Sequence, residues 1–177
     1  MNQELANKLY QKYPKIFRDR VKSMEETCMC WGLECGDGWY NILDVMCQSL
    51  TYSYSTGWSD PNSDKFFDIS APQVVARQVK EKYGTLRFYF HLEFTDEISK
   101  AAEIHPEIRD ILARYQNYFD GVVHMAEIMS GMTCEHTGLP GELHAAGSWY
   151  ATLNREYAKT LNRGYVPVAD LKSIEKP

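Results

Sequence analysis

The sequence lacks three features that would point directly to a class of function. It has no surplus of positive charge, because 24 Asp and Glu residues outnumber 19 Lys and Arg residues and give a net charge of -5. General nucleic-acid binding needs a basic surface that neutralises phosphates, so we do not expect it here. No apolar run is long enough to cross a membrane, and the N-terminal segment has no apolar core of the signal-peptide type. We therefore expect a cytoplasmic protein without a membrane partner.

Catalytic patterns are also missing. No HExxH, GxSxG or P-loop pattern occurs in the chain. His124 and Glu127 are one helical turn apart and suit proton transfer, although such pairs are more often surface or core contacts. An enzyme that degrades a nucleotide signal through His91 or His124 is therefore the least supported class, and no cofactor is indicated.

The five cysteines do not form a disulfide pattern, because their number is odd and no secretion signal precedes them. Cys28, Cys30 and Cys35, with Cys47 on the following predicted helix, would supply four thiolates to zinc. Their spacing differs from the usual pairs of zinc sites, and no second pair lies nearby. We favour the alternative, in which Cys35 and Cys47 are small core residues, and predict no metal.

Length and periodicity predict the fold class. The chain has 177 residues, 44% of them hydrophobic, which suits a single domain over residues 1–177 with a loosely held tail from about residue 168. Helical spacing begins at Tyr40, and again at Asp96 with a break near His105 and Pro106. The stretch 53–71 is rich in Ser, Asp, Asn and Pro and predicts a long loop. Strands and helices are segregated, so we predict an α+β fold whose small antiparallel sheet, a hairpin over about residues 74–92, packs against several helices.

The hairpin is predicted from the stretch VKEKYGTLRFYF. With Tyr83 and Gly84 as its two turn residues, Val79 pairs with Phe88, and Val75 pairs with Leu92. Alternation then gives a core face of Leu86, Phe88, Phe90 and Leu92. The outer face carries Gln78, Lys80, Lys82, Thr85, Arg87, Tyr89 and His91.

This register sets Lys80 directly opposite Arg87. Like charges in that position are unfavourable by up to roughly 1 kcal/mol, and an anionic ligand or a partner carboxylate would relieve the repulsion. The alternative is an ordinary solvent-exposed face, since cations also protect sheet edges from aggregation. Tryptophans in turn-rich sequence are expected to wall the site, although Trp39 also suits the core. The predicted ligand-binding residues are Lys80, Lys82, Tyr83, Arg87, Tyr89, Trp39, Trp58 and Trp149.

Three sequence blocks carry a resemblance to a known family. They are CGDGW at Cys35–Trp39, VKEKYGTLRFY at Val79–Tyr89, and S-x-x-TCE-x-x-G-x-x-G-x5-GSW-x-x-TL from Ser130 to Leu153. In this order they resemble a family of uncharacterised proteins that is widespread in bacteriophage genomes. The resemblance implies no particular activity, but it does imply a phage protein that works in the cytoplasm of a bacterial host.

The third block of that family resembles a zinc ribbon, whose ligand positions correspond here to Cys134, Thr137, Asn154 and Tyr157. Only one of these four residues is a thiol, whereas structural zinc takes four Cys or His ligands. The resemblance therefore implies that this chain has lost the metal and holds the turn by packing, with Trp149 and Tyr157 as packing residues. In the alternative, His136 and His144 join Cys134 in an open site with three ligands.

Two binding functions follow from these observations. The first is a non-enzymatic binder of an anionic, nucleotide-like small molecule, which would sequester a nucleotide signal of bacterial immunity. The second is a protein–protein module that binds and inhibits a host protein, because Tyr and Trp are frequent interface anchors. A homo-oligomer is compatible with either function, since two or more copies can share a pocket.

Overall fold

The computed structural model describes residues 1–51, 55–62 and 65–174 and confirms the α+β fold. Its helices are α1 (Gln3–Lys12), α2 (Tyr40–Leu50), α3 (Asp96–Ile104), α4 (Pro106–Ser130), α5 (Arg155–Thr160) and α6 (Val168–Ile174). Its strands are β1 (Leu33–Glu34), β2 (Ser55–Ser59), β3 (Phe66–Ser70), β4 (Gln73–Lys82), β5 (Thr85–Glu93), β6 (Glu142–Ala146), β7 (Trp149–Leu153) and β8 (Val166–Pro167). They form three small sheets, ordered β1-β4-β5, β2-β3 and β7-β6-β8. Only β1 and β4 pair in parallel among these described strands.

The starts of α2 and α3, and the boundary between α3 and α4, lie where the sequence predicts them. α2 starts at Tyr40, and Pro106 takes the first position of α4 because its missing N–H has no helical partner there. α3 is capped by the Thr95 hydroxyl, which accepts the N–H of Ile98 at 3.3 Å. The predicted break near His105 is confirmed.

The main core lies between the β4–β5 hairpin and helices α2 and α4. Leu86 and Phe88 point from β5 into this core, and Phe119 of α4 is fully buried there. α4 also covers the free edge of β5, because the Ser130 hydroxyl accepts the Leu86 N–H at 2.8 Å and the Glu127 carboxylate accepts the Phe88 N–H at 3.3 Å. These two backbone N–H groups at the edge of the sheet therefore have hydrogen-bond acceptors although no further strand pairs with β5.

The hairpin has the predicted turn but not the predicted register throughout. Val79 pairs with Phe88 and Lys80 with Arg87, as predicted. The expected pairing of Val75 with Leu92 is wrong, because Val75 lies opposite His91. Between Ala76 and Gln78 the register shifts by one residue, which leaves Arg77 as the extra residue of a β-bulge.

Two other segments differ from the sequence-based expectation. The long loop predicted over 53–71 contains the antiparallel strands β2 and β3, with Trp58 in β2; residues 52–54 and 63–64 lie outside the described part. The segment predicted as a loose tail forms α6 over Val168–Ile174, and Asp170 of this helix is ion-paired with Arg155 at 3.3 Å. Residues 175–177 lie outside the described part.

The first and third sequence blocks meet through close backbone contacts. The N–H of Gly38 donates to the carbonyl of Glu135 at 2.7 Å, and the N–H of Gly36 donates to the Glu135 carboxylate at 2.8 Å. A Cβ at Gly38 would lie 2.3 Å from the carbonyl oxygen of Cys134, so no larger residue fits there. The indole N–H of Trp39 completes the contact by donating to Thr133 O at 2.8 Å.

The second block meets the third at the tip of the hairpin. The carbonyl of Gly84 accepts a hydrogen bond from the Thr152 hydroxyl, and a Cβ at Gly84 would lie 2.4 Å from the side chain of Leu143. All three blocks therefore converge on one interface, where their glycines allow backbones to approach closely. These glycines are explained by packing and not by ligand binding.

Candidate functional site

A row of four charged residues crosses the outer face of the hairpin, with one residue from each of four neighbouring elements. β1 places Glu34 beside Lys80 on β4, and Lys80 lies opposite Arg87 on β5. On the far side of Arg87, its guanidinium is 3.9 Å from the Glu127 carboxylate of α4. The two like charges thus lie between two carboxylates, so the protein itself supplies the partner carboxylate that their repulsion requires.

Two cations on this face lie over tyrosine rings. The Lys80 ammonium is 5.6 Å from the centre of the Tyr89 ring, and the Lys82 ammonium is 5.6 Å from the centre of the Tyr83 ring. Both rings remain accessible, with Tyr89 45% and Tyr83 68% exposed. Each unit therefore offers a cation next to a flat stacking surface.

A cleft of about 420 Å³ opens beside the bulge, between the hairpin and the segment 24–28. Its volume falls within the range of small-molecule sites. The cleft is lined by Met24, Glu25, Glu26, Thr27, Cys28, Arg77, Gln78, Lys80 and Tyr89.

The bulge determines where Arg77 lies. Its Nη2 donates to the carbonyl of Glu26 at 3.2 Å, and its own carbonyl accepts the Thr27 hydroxyl at 3.2 Å. Its Nη1 is 3.7 Å from the carboxylate of Asp19, a side chain that is only 2% exposed. These contacts fix the guanidinium at the edge of the cleft.

Three positively charged side chains surround the Asp19 carboxylate. Besides Arg77, the ammonium of Lys22 at 2.9 Å and the guanidinium of Arg18 at 3.8 Å surround this single buried carboxylate. Arg18 is also paired with Glu93. Three cations therefore surround Asp19 behind the Arg77 end of the cleft.

Carboxylates also lie on the cleft wall. Glu26 accepts the N–H of Ser23 at 3.3 Å and its hydroxyl at 3.0 Å, which commits that carboxylate to the local turn. Glu25 lies beside it on the same wall. The cleft is consequently mixed in charge, and its cations are grouped on the hairpin side.

The structure brings together only some of the predicted site residues. Lys80 and Tyr89 line the cleft, while Lys82 and Tyr83 lie further along the same face at the hairpin tip. Trp39 is fully buried and is a core anchor, which corrects its assignment to a ligand site.

The other two tryptophans predicted for the site also lie away from the cleft. The Trp58 ring packs against His105 with centroids 4.8 Å apart, near the start of α4. Trp149 is exposed, with the Arg163 guanidinium 5.3 Å from the centre of its ring. Neither side chain lines the cleft, so the prediction that tryptophans wall the ligand site is wrong for this cleft.

Sequence reasoning missed Arg77 and the segment 24–28. In an unbroken register Arg77 would have shared the core face with Val79, which is an unfavourable place for an arginine. That conflict was a usable signal for a bulge. The approach of residues 24–28 to β4 links positions about fifty residues apart, and no local pattern encodes it.

The positions that correspond to ligands of a zinc ribbon have other contacts here. Asn154 caps α5 by accepting the N–H groups of Glu156 and Tyr157. Cys134 is buried in a small cluster against which Tyr157 packs, and the Tyr157 ring lies 5.2 Å from that of His136. His144 is buried and its Nδ1 contacts the carbonyl of Glu142 at 2.9 Å. No group of three or more His, Cys, Asp or Glu side chains that could hold a metal occurs within residues 1–51, 55–62 and 65–174.

The cysteines of the N-terminal half are free thiols. Cys35 and Cys47 are buried, as predicted for core residues, whereas Cys28 and Cys30 are half-buried. Burial raises the pKa of Cys35 to about 12, which keeps this thiol protonated at neutral pH.

A second cleft, of about 680 Å³, lies where the first and third blocks meet. Glu34, Asp37, Glu81 and Glu135 line it, which makes it unsuited to an anion. Burial raises the pKa of the Glu135 carboxyl, against the opposing effect of the hydrogen bond from Gly36.

An apolar groove of about 640 Å³ runs between α2 and α4. Its walls include the exposed side chains of Val45, Met125 and Met129, and no charged residue lines it. Gly121, in the middle of α4, has open space above its backbone.

Comparisons with known proteins identify no similar protein. The chain matches no family model, no curated protein and no solved structure. No helix in the described part of the chain is long and apolar enough to cross a membrane.

Proposed function

We propose that the protein is a non-enzymatic binder that captures an anionic, nucleotide-like small molecule in the cleft beside the β4–β5 hairpin. One observation carries this proposal: the bulge brings Arg77 to the same cleft as Lys80 and Tyr89. A phosphate there can meet a planar guanidinium and a mobile ammonium, while a base stacks on the tyrosine.

The residues around the cleft support binding without turnover. His91 contacts Glu93 at 3.1 Å, and neither residue lines the cleft. Glu127, the other half of the candidate pair with His124, is engaged with Arg87 and the Phe88 N–H. The cleft offers cations, a ring, an amide, a thiol and two carboxylates, of which Glu26 is engaged by the N–H and hydroxyl of Ser23.

The resemblance to phage proteins supplies the biological setting of the proposal. In the cytoplasm of an infected bacterium, a nucleotide signal made by the host's immune system is a target of suitable chemistry. Tight binding alone would lower the free concentration of such a signal. Sequestration therefore needs no catalytic group.

Isothermal titration with thymidine 5′-phosphate tests the site. Replacing Arg77 and Lys80 by Gln removes two charge-assisted contacts, so we expect affinity to fall by at least about tenfold. The control is Lys8→Gln, which removes an exposed cation of α1 that is paired with Glu4. Equal affinity in all three proteins would place the ligand elsewhere.

A second candidate function, binding and inhibition of a host protein, is favoured by the groove between α2 and α4. Its uncharged, methionine-containing walls suit the apolar face of a partner helix. Gly121→Leu would fill the groove and should abolish co-purification of a host protein, whereas the Arg77 and Lys80 replacements should not. The opposite pattern would assign the interaction to the hairpin cleft.

A further inference from the structure

The tip of the hairpin carries a second unit of ring and cation beyond the cleft. There the Lys82 ammonium lies 5.6 Å from the centre of the Tyr83 ring, which also meets the Tyr150 ring edge-on at 6.5 Å. The Tyr83 ring is largely accessible to solvent, since the residue is 68% exposed. This unit repeats the chemistry of Lys80 and Tyr89.

Tyr83 occupies an unfavourable backbone conformation. Its φ is +54°, and Gly84 follows at +81°, so both central residues of the turn have positive φ. Turns of this kind prefer Asn followed by Gly, and a residue with a bulky side chain is strained there. Burial does not compensate for that strain, because the ring is mostly exposed. A strained, exposed ring at a loop tip is a reason to look for a ligand.

The two units lie on one continuous face. Lys80 and Lys82 are alternate residues of β4 and therefore project from the same side, about 7 Å apart along the strand. From Arg77 to Tyr83 the strand extends about 20 Å. A single nucleotide that fills the cleft beside Tyr89 leaves Tyr83 and Lys82 unoccupied.

We infer that the ligand is a short oligonucleotide, with one base on Tyr89, another on Tyr83, and backbone phosphates at Lys80 and Lys82. This inference rests on the proposed capture of a nucleotide. The face ends at the segment 24–28 on one side and at the contact of Gly84 with Leu143 on the other, which limits the length of the ligand. Linear and cyclic oligonucleotides share the required chemistry, whereas long nucleic acid is disfavoured by the net charge of -5.

Binding titrations with 5′-phosphorylated thymidylates of one, two and three nucleotides, and with a cyclic dinucleotide, test this inference. The wild-type protein should bind the dinucleotide at least about fivefold more tightly than the mononucleotide, which is the effect of one added base stack. Tyr83→Asn should remove that gain and leave mononucleotide affinity unchanged. The same variant should unfold at a higher temperature, because Asn suits the turn, so lost binding cannot be attributed to lost folding.

Tyr118→Asn provides the matched control, because it removes an exposed tyrosine of the groove between α2 and α4, away from the hairpin, and should leave all nucleotide affinities unchanged. If the dinucleotides bind no more tightly than the mononucleotide, the oligonucleotide inference is overturned while nucleotide capture stands. Equal loss of mononucleotide and dinucleotide affinity in Tyr83→Asn would also overturn it. If no probe binds, the proposed function fails with it. If either dinucleotide binds more tightly than the mononucleotide, the inference is supported. The dinucleotide with the higher affinity then identifies the form of the ligand, linear or cyclic.

Discussion

Replacing Glu127 by Gln is expected to weaken the fold and to strengthen anion binding at the same time. The Glu127 carboxylate is 3.9 Å from the Arg87 guanidinium, which corresponds to an attraction of about 4 kcal/mol at an effective dielectric constant of 20. Both side chains are partly exposed, so hydration and side-chain entropy reduce the net contribution to about 1 kcal/mol. Gln retains an oxygen that can accept the Phe88 N–H, which confines the change to charge.

The expected loss of stability is therefore about 1 kcal/mol, or a fall in Tm of about 2–4 °C for a chain of this size. Without Glu127, the repulsion between Lys80 and Arg87 is balanced on one side only. A bound phosphate would then relieve it, so the affinity for thymidine 5′-phosphate should rise by about twofold to fivefold. The gain should shrink as salt screens the interaction.

The assay combines thermal unfolding with titration at low and at physiological ionic strength. Glu156→Gln is the control, because Glu156 is an exposed carboxylate that pairs with Lys159 on α5 and lies away from the hairpin. A fall in stability with unchanged anion affinity at low salt would refute the reasoning. That result would mean that the charge row serves the fold alone.

Three further predictions concern stability. The Glu135 carboxyl has a raised pKa in the folded state, so its ionisation costs stability as the pH rises above 4.5, the ordinary pKa of Glu. Glu135→Gln should therefore raise Tm at neutral pH. Thermal unfolding measured against pH should show that this gain vanishes below about pH 4.5. Ser130→Ala leaves the buried N–H of Leu86 without its acceptor and should cost about 1–3 kcal/mol in urea unfolding. Gly38→Ala places a Cβ 2.3 Å from backbone and should cost more than about 3 kcal/mol, measured in the same assay. An unchanged midpoint in any of the three would contradict the contact described for that residue.

Local signals predicted the regular parts of the fold. The apolar spacing after Tyr40 and the proline at position 106 determined the start of α2 and the boundary between α3 and α4. The sequence Tyr83-Gly84 determined the turn, and the pairing of Lys80 with Arg87 followed from it. These features depend on neighbours in sequence, which is why periodicity and turn chemistry predict them.

The parts that sequence reasoning missed depend on distant contacts. The bulge at Arg77 changes the pairing of every residue before it in β4; alternation places this arginine on the core face, which signals a conflict but does not show how the strand resolves it. β2 and β3 pair although their composition favours a loop, because composition measures average propensity and not pairing. Trp39 and Trp149 both follow glycines closely in sequence, yet one is buried and the other exposed.

The three sequence blocks pack against one another through their glycines, and the second block also supplies part of the candidate cleft. The glycines at positions 36, 38 and 84 hold the C-terminal segment against the hairpin and the start of α2. The cleft takes Lys80 and Tyr89 from the second block and is completed by Arg77 and the segment 24–28, which lie outside all three blocks. We therefore expect proteins with the same blocks to share this packing and the Lys80 and Tyr89 side of the cleft, while Arg77 and the segment 24–28 can differ.

Native mass spectrometry of the wild-type chain and the Arg77→Gln, Lys80→Gln variant tests nucleotide capture most directly. Both proteins would be measured after incubation with an extract of bacteria whose nucleotide-based immunity is active. We predict an added mass of an oligonucleotide on the wild-type chain alone, released on denaturation. The bare chain mass in both samples, or the same added mass on both proteins, would contradict capture at this cleft.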